Sequence, residues 1–199
     1  MLTRRAFSAL AAAALVLPLG LSAAMAEELL PDKVLGDPDA PVEIIEYASM
    51  TCPHCASFHE GVFPQLKEEY IDTGKVRFVL REFPFDPLAA AVFMLARCSD
   101  DKYYDVVDLF FEQQRAWAVR EGALGEIRKL AKQAGFTDEA FETCLTDQKL
   151  LDGINAVKDH GARELGVRAT PTIFVDGKQV EGSRNIKAFR EIIDAKLGS

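Results

Sequence analysis

Two cysteines three positions apart, Cys52 and Cys55, enclose a proline and a histidine in the run Thr51-Cys52-Pro53-His54-Cys55. Thiols at this spacing can close a disulfide with each other, exchange with a disulfide elsewhere, or help to hold a metal. The surrounding backbone discriminates. A strand-like run, Val42 to Met50, precedes the pair, and a helix-like run from Pro53 to about Tyr70 follows it. The first N–H groups of a helix lack internal partners and carry partial positive charge. Cys52, at that helix start, is expected to ionise more readily than a free cysteine and to be the attacking sulfur. Cys55 falls one turn further in, on the same face and within reach of Cys52. This is the layout of a dithiol–disulfide redox centre. Zinc would need four ligands, yet Cys98 and Cys144 are isolated and only His54 and His59 lie close. An inert structural bond is the other alternative, but a disulfide at an exposed helix start is easily attacked. The exchange chemistry needs neither a metal nor an organic cofactor.

Three further positions bear on that chemistry. His54 lies between the thiols, and its N–H, or its charge when protonated, can stabilise the Cys52 thiolate. Stabilising the reduced form makes the disulfide more oxidising. Pro53 suits the first helical turn, where its missing N–H costs nothing. Glu46, six residues before Cys52, interrupts an apolar strand, and an acid there needs a partner or a task. A buried lysine or a water could satisfy it.

The elements that must position these residues follow from periodicity. Gly36 to Pro41 is rich in turn residues, and Val42 to Ala48 is apolar on both faces apart from Glu43 and Glu46, as suits a central strand. The following helix should kink at Pro64, which removes one helical hydrogen bond. Val76 to Phe83 is the next strand. From Pro87 to about Leu165 the pattern is helical: Leu88 to Cys98, Lys102 to Trp117, Gly122 to Ala134, Thr137 to Leu145 and Lys149 to Leu165. Thr137 is a candidate N-cap with Phe136 and Phe141 as a staple, and Gly135 a candidate C′ residue. Tyr103, Tyr104, Phe110, Phe111 and Trp117 fall at helical spacing, as core residues do; a substrate groove is the other reading. Strand character returns at Pro171 to Val175, with a turn at Asp176-Gly177 and a short partner strand, Lys178 to Glu181. A last helix spans about Asn185 to Leu197, with Ile186, Phe189, Ile193 and Leu197 expected to face inward.

Residues 1–26 have the form of a secretory signal peptide: Arg4 and Arg5, the apolar stretch Ala9 to Leu21, then Ala24-Met25-Ala26 as a cleavage site. Thr3-Arg4-Arg5-Ala6-Phe7 also resembles a twin-arginine export signal. The mature chain would begin near Glu27 and work outside the cytoplasm, where disulfides persist. Without Arg4 and Arg5 the chain holds 21 basic residues against 31 acidic, a net charge of −10. Such a chain is a poor nucleic-acid binder. No other apolar run is long enough to cross a bilayer. Cys98 and Cys144, both near ends of helices in an oxidising compartment, are expected to form a structural disulfide. Two buried free thiols are the alternative. Closing that loop of 46 residues would add at most roughly 4 kcal/mol of stability.

Gly36-Asp37-Pro38-Asp39-Ala40-Pro41-Val42, Glu46-Tyr47, Cys52-Pro53-His54-Cys55 and Ala169-Thr170-Pro171-Thr172 together resemble the DsbA-like branch of the thioredoxin superfamily. The resemblance spans essentially the whole mature chain. It implies an α/β thioredoxin fold, residues 27–86 and 166–199, interrupted by an all-helical insertion, residues 87–165. It implies that Glu46 lies beneath the active site and moves a proton on and off Cys55. It implies a cis Thr170–Pro171 bond beside the cysteines, with the Thr170 backbone pairing with an extended client segment; an ordinary trans proline at a strand start is the alternative. It further implies a periplasmic, monomeric oxidant of cysteine-containing secreted proteins, reoxidised by a membrane partner of the DsbB type. Thr170 departs from the valine usual in the DsbA oxidants and is familiar in isomerase and reductase branches, so a reductive role is the first rival. Residues 27–41 are too few for the dimerisation domain of the usual disulfide isomerases. A copper- or client-binding module on the same fold is the second rival, though the chain lacks the Met, Cys and His clustering expected of one.

Overall fold

The computed structural model of the chain describes residues 29–181 and 185–198. The expected signal peptide therefore lies outside the described residues.

The alternating and doubly apolar runs form a five-stranded sheet in the order β1-β3-β2-β4-β5. Its strands are β1 (Val34–Leu35), β2 (Val42–Ala48), β3 (Val76–Glu82), β4 (Thr172–Val175) and β5 (Lys178–Gln179). β2 and β3 are parallel, with Glu46 opposite Leu80, while β4 runs antiparallel to β2, with Ile173 opposite Glu46. The central position of β2 explains its apolar composition on both faces. β1 was not foreseen: two residues are too short for any period to show, and only pairing with Phe78 and Val79 makes them a strand.

Helix α1 (Pro53–Gly61) leaves the end of β2. Pro64 breaks it as expected, into α2 (Phe63–Leu66) and a π-helical turn (Lys67–Ile71). Between β3 and β4 come α3 (Pro87–Cys98), α4 (Tyr103–Glu112), α5 (Gln114–Trp117), α6 (Ala123–Gln133), α7 (Asp138–Leu145) and α8 (Gln148–Glu164). This is a thioredoxin fold with a helical insertion. Thr137 caps α7 by accepting from Ala140 N, and Gly135 closes α6 with φ 99°. The expected single helix over Lys102 to Trp117 is instead broken at Gln113, whose φ and ψ of −105° and 16° end α4.

One continuous core joins both parts. Ile44, Phe78 and Val175 of the sheet pack in the same cluster as Phe93, Phe110, Trp117 and Ile127 of the helices. The aromatics of α4 and α5 are therefore core residues. A smaller cluster on the other sheet face holds Ile45, Tyr47, Val79, Phe83, Val167 and Phe174. α8 crosses that face at Gly161, where a Cβ would lie 2.5 Å from Tyr47 Cε1. The last helix, α9 (Ile186–Leu197), buries Phe189 and Ile193. Leu197 does not face inward: it is 37% exposed, because the helix end outruns the core beneath it.

Cys98, at the end of α3, is bonded to Cys144 of α7, 46 positions on. Alanine at both positions is expected to lower stability by about 3 kcal/mol. Urea unfolding should show this as an earlier midpoint under non-reducing conditions, and an unmoved midpoint refutes it.

Candidate active site

β2 ends at Ala48, and the chain turns through Ser49 to Thr51 into α1. Cys52 is the N-cap of α1 and Pro53 its first residue. The turn is held from both sides. Cys52 N donates to Ser49 O at 3.0 Å, and the buried Gln114 amide donates to the carbonyls of Met50 (2.7 Å) and Cys52 (3.0 Å). Thr51 donates to Asp86, whose other oxygen caps α3 at Ala89 N. The break between α4 and α5 thus sets Gln114 against the cysteine loop.

Cys52 is half-buried and Cys55 fully buried. A hydrogen bond from the Cys55 thiol is the main reason that Cys52 ionises early, with its pKa lowered to about 5. Burial opposes this, and the Thr170 side chain and the backbone N–H groups of Cys55 and His54 add to it. Cys55 goes the other way. Burial pushes its pKa far up, and the sulfur of Cys52 and the charge of Glu46 push in the same direction. The two thiols are thereby split into a thiolate at the surface and a protonated thiol beneath it.

Thr170–Pro171 is a cis peptide bond, and Cys52 Sγ lies 3.3 Å from Thr170 O. Thr170 Oγ1 is buried, with no partner among the described residues except the Cys52 sulfur, whose anion it stabilises. The His54 ring is exposed, so this residue reaches the sulfur through its backbone N–H.

The residues that match the Thioredoxin family model are 29–195. Among solved structures, alpha-DsbA1 of Wolbachia pipientis superposes with a TM-score of 0.81 at 34% identity, covering 86% of this chain and 93% of that one. The chain belongs to the DsbA-like branch of the thioredoxin family. BdbD from Bacillus subtilis, in its oxidised form, superposes on this DsbA-like chain with a TM-score of 0.75 at 26% identity, covering 84% and 94% of the two chains. A Rickettsia bellii protein named as a protein-disulfide oxidoreductase is 35% identical over 168 residues, which is 83% of this chain. The DsbA-like chain spans 64% of that relative's length.

Glu46 lies directly in the large core, with no exposed surface. Its Oε2 meets His59, whose Nε2 is 2.8 Å away. Nothing in the strand pattern pointed to this histidine. The available signal was its position four residues after Cys55, which puts it on the same buried face of α1. Gln114 and Asp86 were missed as well, because their contacts with the cysteine loop exist only once the helical block has packed. Cys98 and Cys144 lie apart from this site, at the far end of α3.

Proposed function

We propose that this chain is an exported protein thiol–disulfide oxidoreductase that donates a Cys52–Cys55 disulfide to cysteine-containing secreted proteins. The observation that carries the reading is the opposite displacement of two neighbouring thiols, Cys52 to about 5 and Cys55 upward. A client thiolate attacks Cys52 Sγ of the disulfide, and Cys55 leaves with the electron pair and takes a proton. A second client thiolate attacks the client sulfur of the mixed disulfide, and Cys52 leaves as a thiolate. Two electrons pass to the protein and one disulfide forms in the client. A thiolate that is already stable is a good leaving group, which favours release of the oxidised client. Thr170 O, beside Cys52, is placed to pair with an extended client segment. Glu46 supplies the proton for Cys55, and Pro53 and His54 shape the helix tip.

The same reading places the protein in the periplasm after removal of residues 1–26, as a monomer reoxidised by a membrane partner of the DsbB type. Residues 27–86 and 166–199 form its thioredoxin part and residues 87–165 the insertion. Among the described residues no helix is long and apolar enough to cross a membrane.

A reductive role is the second reading, favoured by Thr170 where the well-known DsbA oxidants usually carry valine. The redox potential separates the two. Cys52 falls from an ordinary 9.0 to about 5, so the reduced form is favoured above about pH 5 and loses that advantage as pH falls through it. At pH 7 the bias reaches at most about a hundredfold, or about 60 mV for two electrons. Solvent around the half-buried sulfur lowers it. Ultraviolet titration of the thiolate should give a midpoint near about 5, with a glutathione equilibrium well on the oxidising side of thioredoxin. An ordinary thiol midpoint would refute the oxidant reading, and a low midpoint with a thioredoxin-like potential would favour the reductive one.

A further inference from the structure

The proposed exchange reaction sets Cys55 a difficulty, and a proton path to this residue is inferred on the strength of that reaction. The Cys55 sulfur takes up a proton each time it leaves the disulfide and loses one each time the disulfide re-forms. Yet Cys55 has no accessible surface, and neither does Glu46, the acid whose charge acts on it. Bulk water cannot serve either group directly.

The surroundings of Glu46 offer a path. Glu46 Oε2 meets His59 Nε2 at 2.8 Å, and Oε1 has no partner among the described residues. On the other side of the imidazole, Nδ1 also has no hydrogen-bond partner among the described residues and lies 3.4 Å from Asp108 Oδ1. The His59 side chain is 2% exposed, but that of Asp108 is 41% exposed. A pocket of about 160 Å³ lies against this end, lined by His59, Phe63, Lys67, Asp108 and Phe111 among others. It has room for several waters. The imidazole stacks on Phe111, with ring centres 4.3 Å apart, and meets the tilted ring of Phe63 at 4.6 Å. A buried pair that served packing alone would have its remaining polar atoms tied to fixed partners. Here the two polar atoms without a close partner, Glu46 Oε1 and His59 Nδ1, belong to the two members of one hydrogen-bonded pair, and His59 lines the pocket together with Asp108.

We propose that His59 and Asp108 relay protons between solvent and Glu46, and through Glu46 to Cys55. Before the active-site disulfide is reduced, His59 Nδ1 has taken a proton from Asp108 or a pocket water; as it is reduced, the Nε2 proton of the charged ring passes to Glu46. Glu46, now a carboxylic acid, protonates the departing Cys55 thiolate and is again a carboxylate. On reoxidation the Cys55 proton returns to Glu46 and then to Nε2, which restores the charged ring, and its Nδ1 proton exchanges with Asp108 and the pocket water. The ring gives one proton on reduction and takes one back on reoxidation, no electrons pass through the relay, and the imidazole ends in its starting protonation state. His59 and Asp108 act through Glu46 and touch neither sulfur, so they are positioning residues.

The charged groups facing the imidazole are Glu46 from β2, Asp108 and Glu112 from α4, Lys67 from the π-helical turn and Glu60 from its own helix. Phe63, Phe78 and Phe111 contribute rings only. Tyr104 also feels Glu46, but burial keeps its phenol protonated. Burial alone would drive the proton off His59. The Glu46 charge, with Asp108 behind it, outweighs that and raises the pKa to about 9, so the relay is loaded at neutral pH.

The test uses the mature chain with its disulfide formed and a peptide carrying two cysteines. Stopped-flow rates of its reduction are measured from about pH 5 to about pH 10, normalised to the peptide thiolate, with and without added imidazole. In wild type the normalised rate should fall above about pH 9 and ignore imidazole. His59→Ala should be at least about tenfold slower and Asp108→Asn about threefold slower, both restored by imidazole entering the vacated site or the pocket. The thiolate titration of Cys52 should stay at about 5 in both. Wild-type rates and pH profile in the two variants overturn the relay, as does slowing that imidazole fails to lift. Should His59→Ala not fold, Asp108→Asn, at a partly exposed site, decides by the same two readings. Failure of wild type to exchange with the peptide at all would instead remove the proposed function itself.

Discussion

Cys52→Ala should abolish disulfide exchange, lowering the rate with a two-cysteine peptide by at least about 10³-fold, to that of the uncatalysed solution reaction. The remaining thiol cannot take over. Cys55 is fully buried, and its ionisation is pushed far above the ordinary cysteine range by burial first and then by Cys52 and Glu46. Cys55→Ala should fail differently. Cys52 stays at the surface end of the pair and still attacks a client disulfide, but no second thiol resolves the product, so mixed disulfides accumulate. The same substitution removes the thiol hydrogen bond that contributes most to the low Cys52 pKa. Its ultraviolet titration midpoint should therefore rise from about 5 by about one unit or more. Non-reducing gels of protein mixed with an oxidised client, read beside that titration, test both statements. Equal residual turnover in the two variants, or a Cys52 midpoint unmoved in Cys55→Ala, would sink the division of labour between the two sulfurs.

How much of the fold and the site is legible in the sequence depends on the range of the interactions involved. The cysteine pair, its helix tip and the strand before it are local features, so Val42 to Ala48 and Pro53 onward were legible from composition and spacing. Thr137 as a cap and Gly135 as a helix end were legible for the same reason: a cap acts within three or four residues. Pro64 announced a break, but not that the chain would continue as a π-helical turn, since Pro64 dictates only the loss of one hydrogen bond. Glu46 was conspicuous because an acid in an apolar strand is costly. Its partner was not, because His59 meets it only when α1 lies on β2. Gln114 was hidden for a similar reason. A glutamine within a helical pattern carries no signal until the helix breaks beside the carbonyls of Met50 and Cys52. The sites of chemistry were thus visible as residue types, while the groups that hold and supply them arise from packing between segments remote in sequence.

The largest loss of stability should come from a residue outside the cysteine site, Arg97. Glu82 ends β3 beside Ala48, and its carboxylate has no exposed surface. Arg97 of α3 meets it with two bonds, Nε to Oε1 at 2.6 Å and Nη2 to Oε2 at 3.0 Å. Tyr103 donates to Oε1 at 3.0 Å, and Arg97 Nη1 donates to Pro31 O at 2.6 Å. The network therefore ties the sheet, the segment before β1 and two helices of the insertion. Arg97→Met would keep most of the side-chain volume and leave the Glu82 charge buried with only a phenol beside it. That should lower stability by about 3–5 kcal/mol. For a domain of this size it means a fall in Tm of roughly 10 °C. The double variant Arg97→Met with Glu82→Met should recover much of the loss, because a well-packed apolar pair removes the orphaned charge along with its partner. Urea unfolding of the single and double variants decides. A double variant as unstable as the single one would mean that the guanidinium acts mainly through Pro31 and packing. A single variant within about 1 kcal/mol of wild type would mean that the buried carboxylate tolerates solitude. Since β3 leads directly to Asp86, which holds Thr51 beside Cys52, the Arg97 variant should also broaden the thiolate titration well before the chain unfolds.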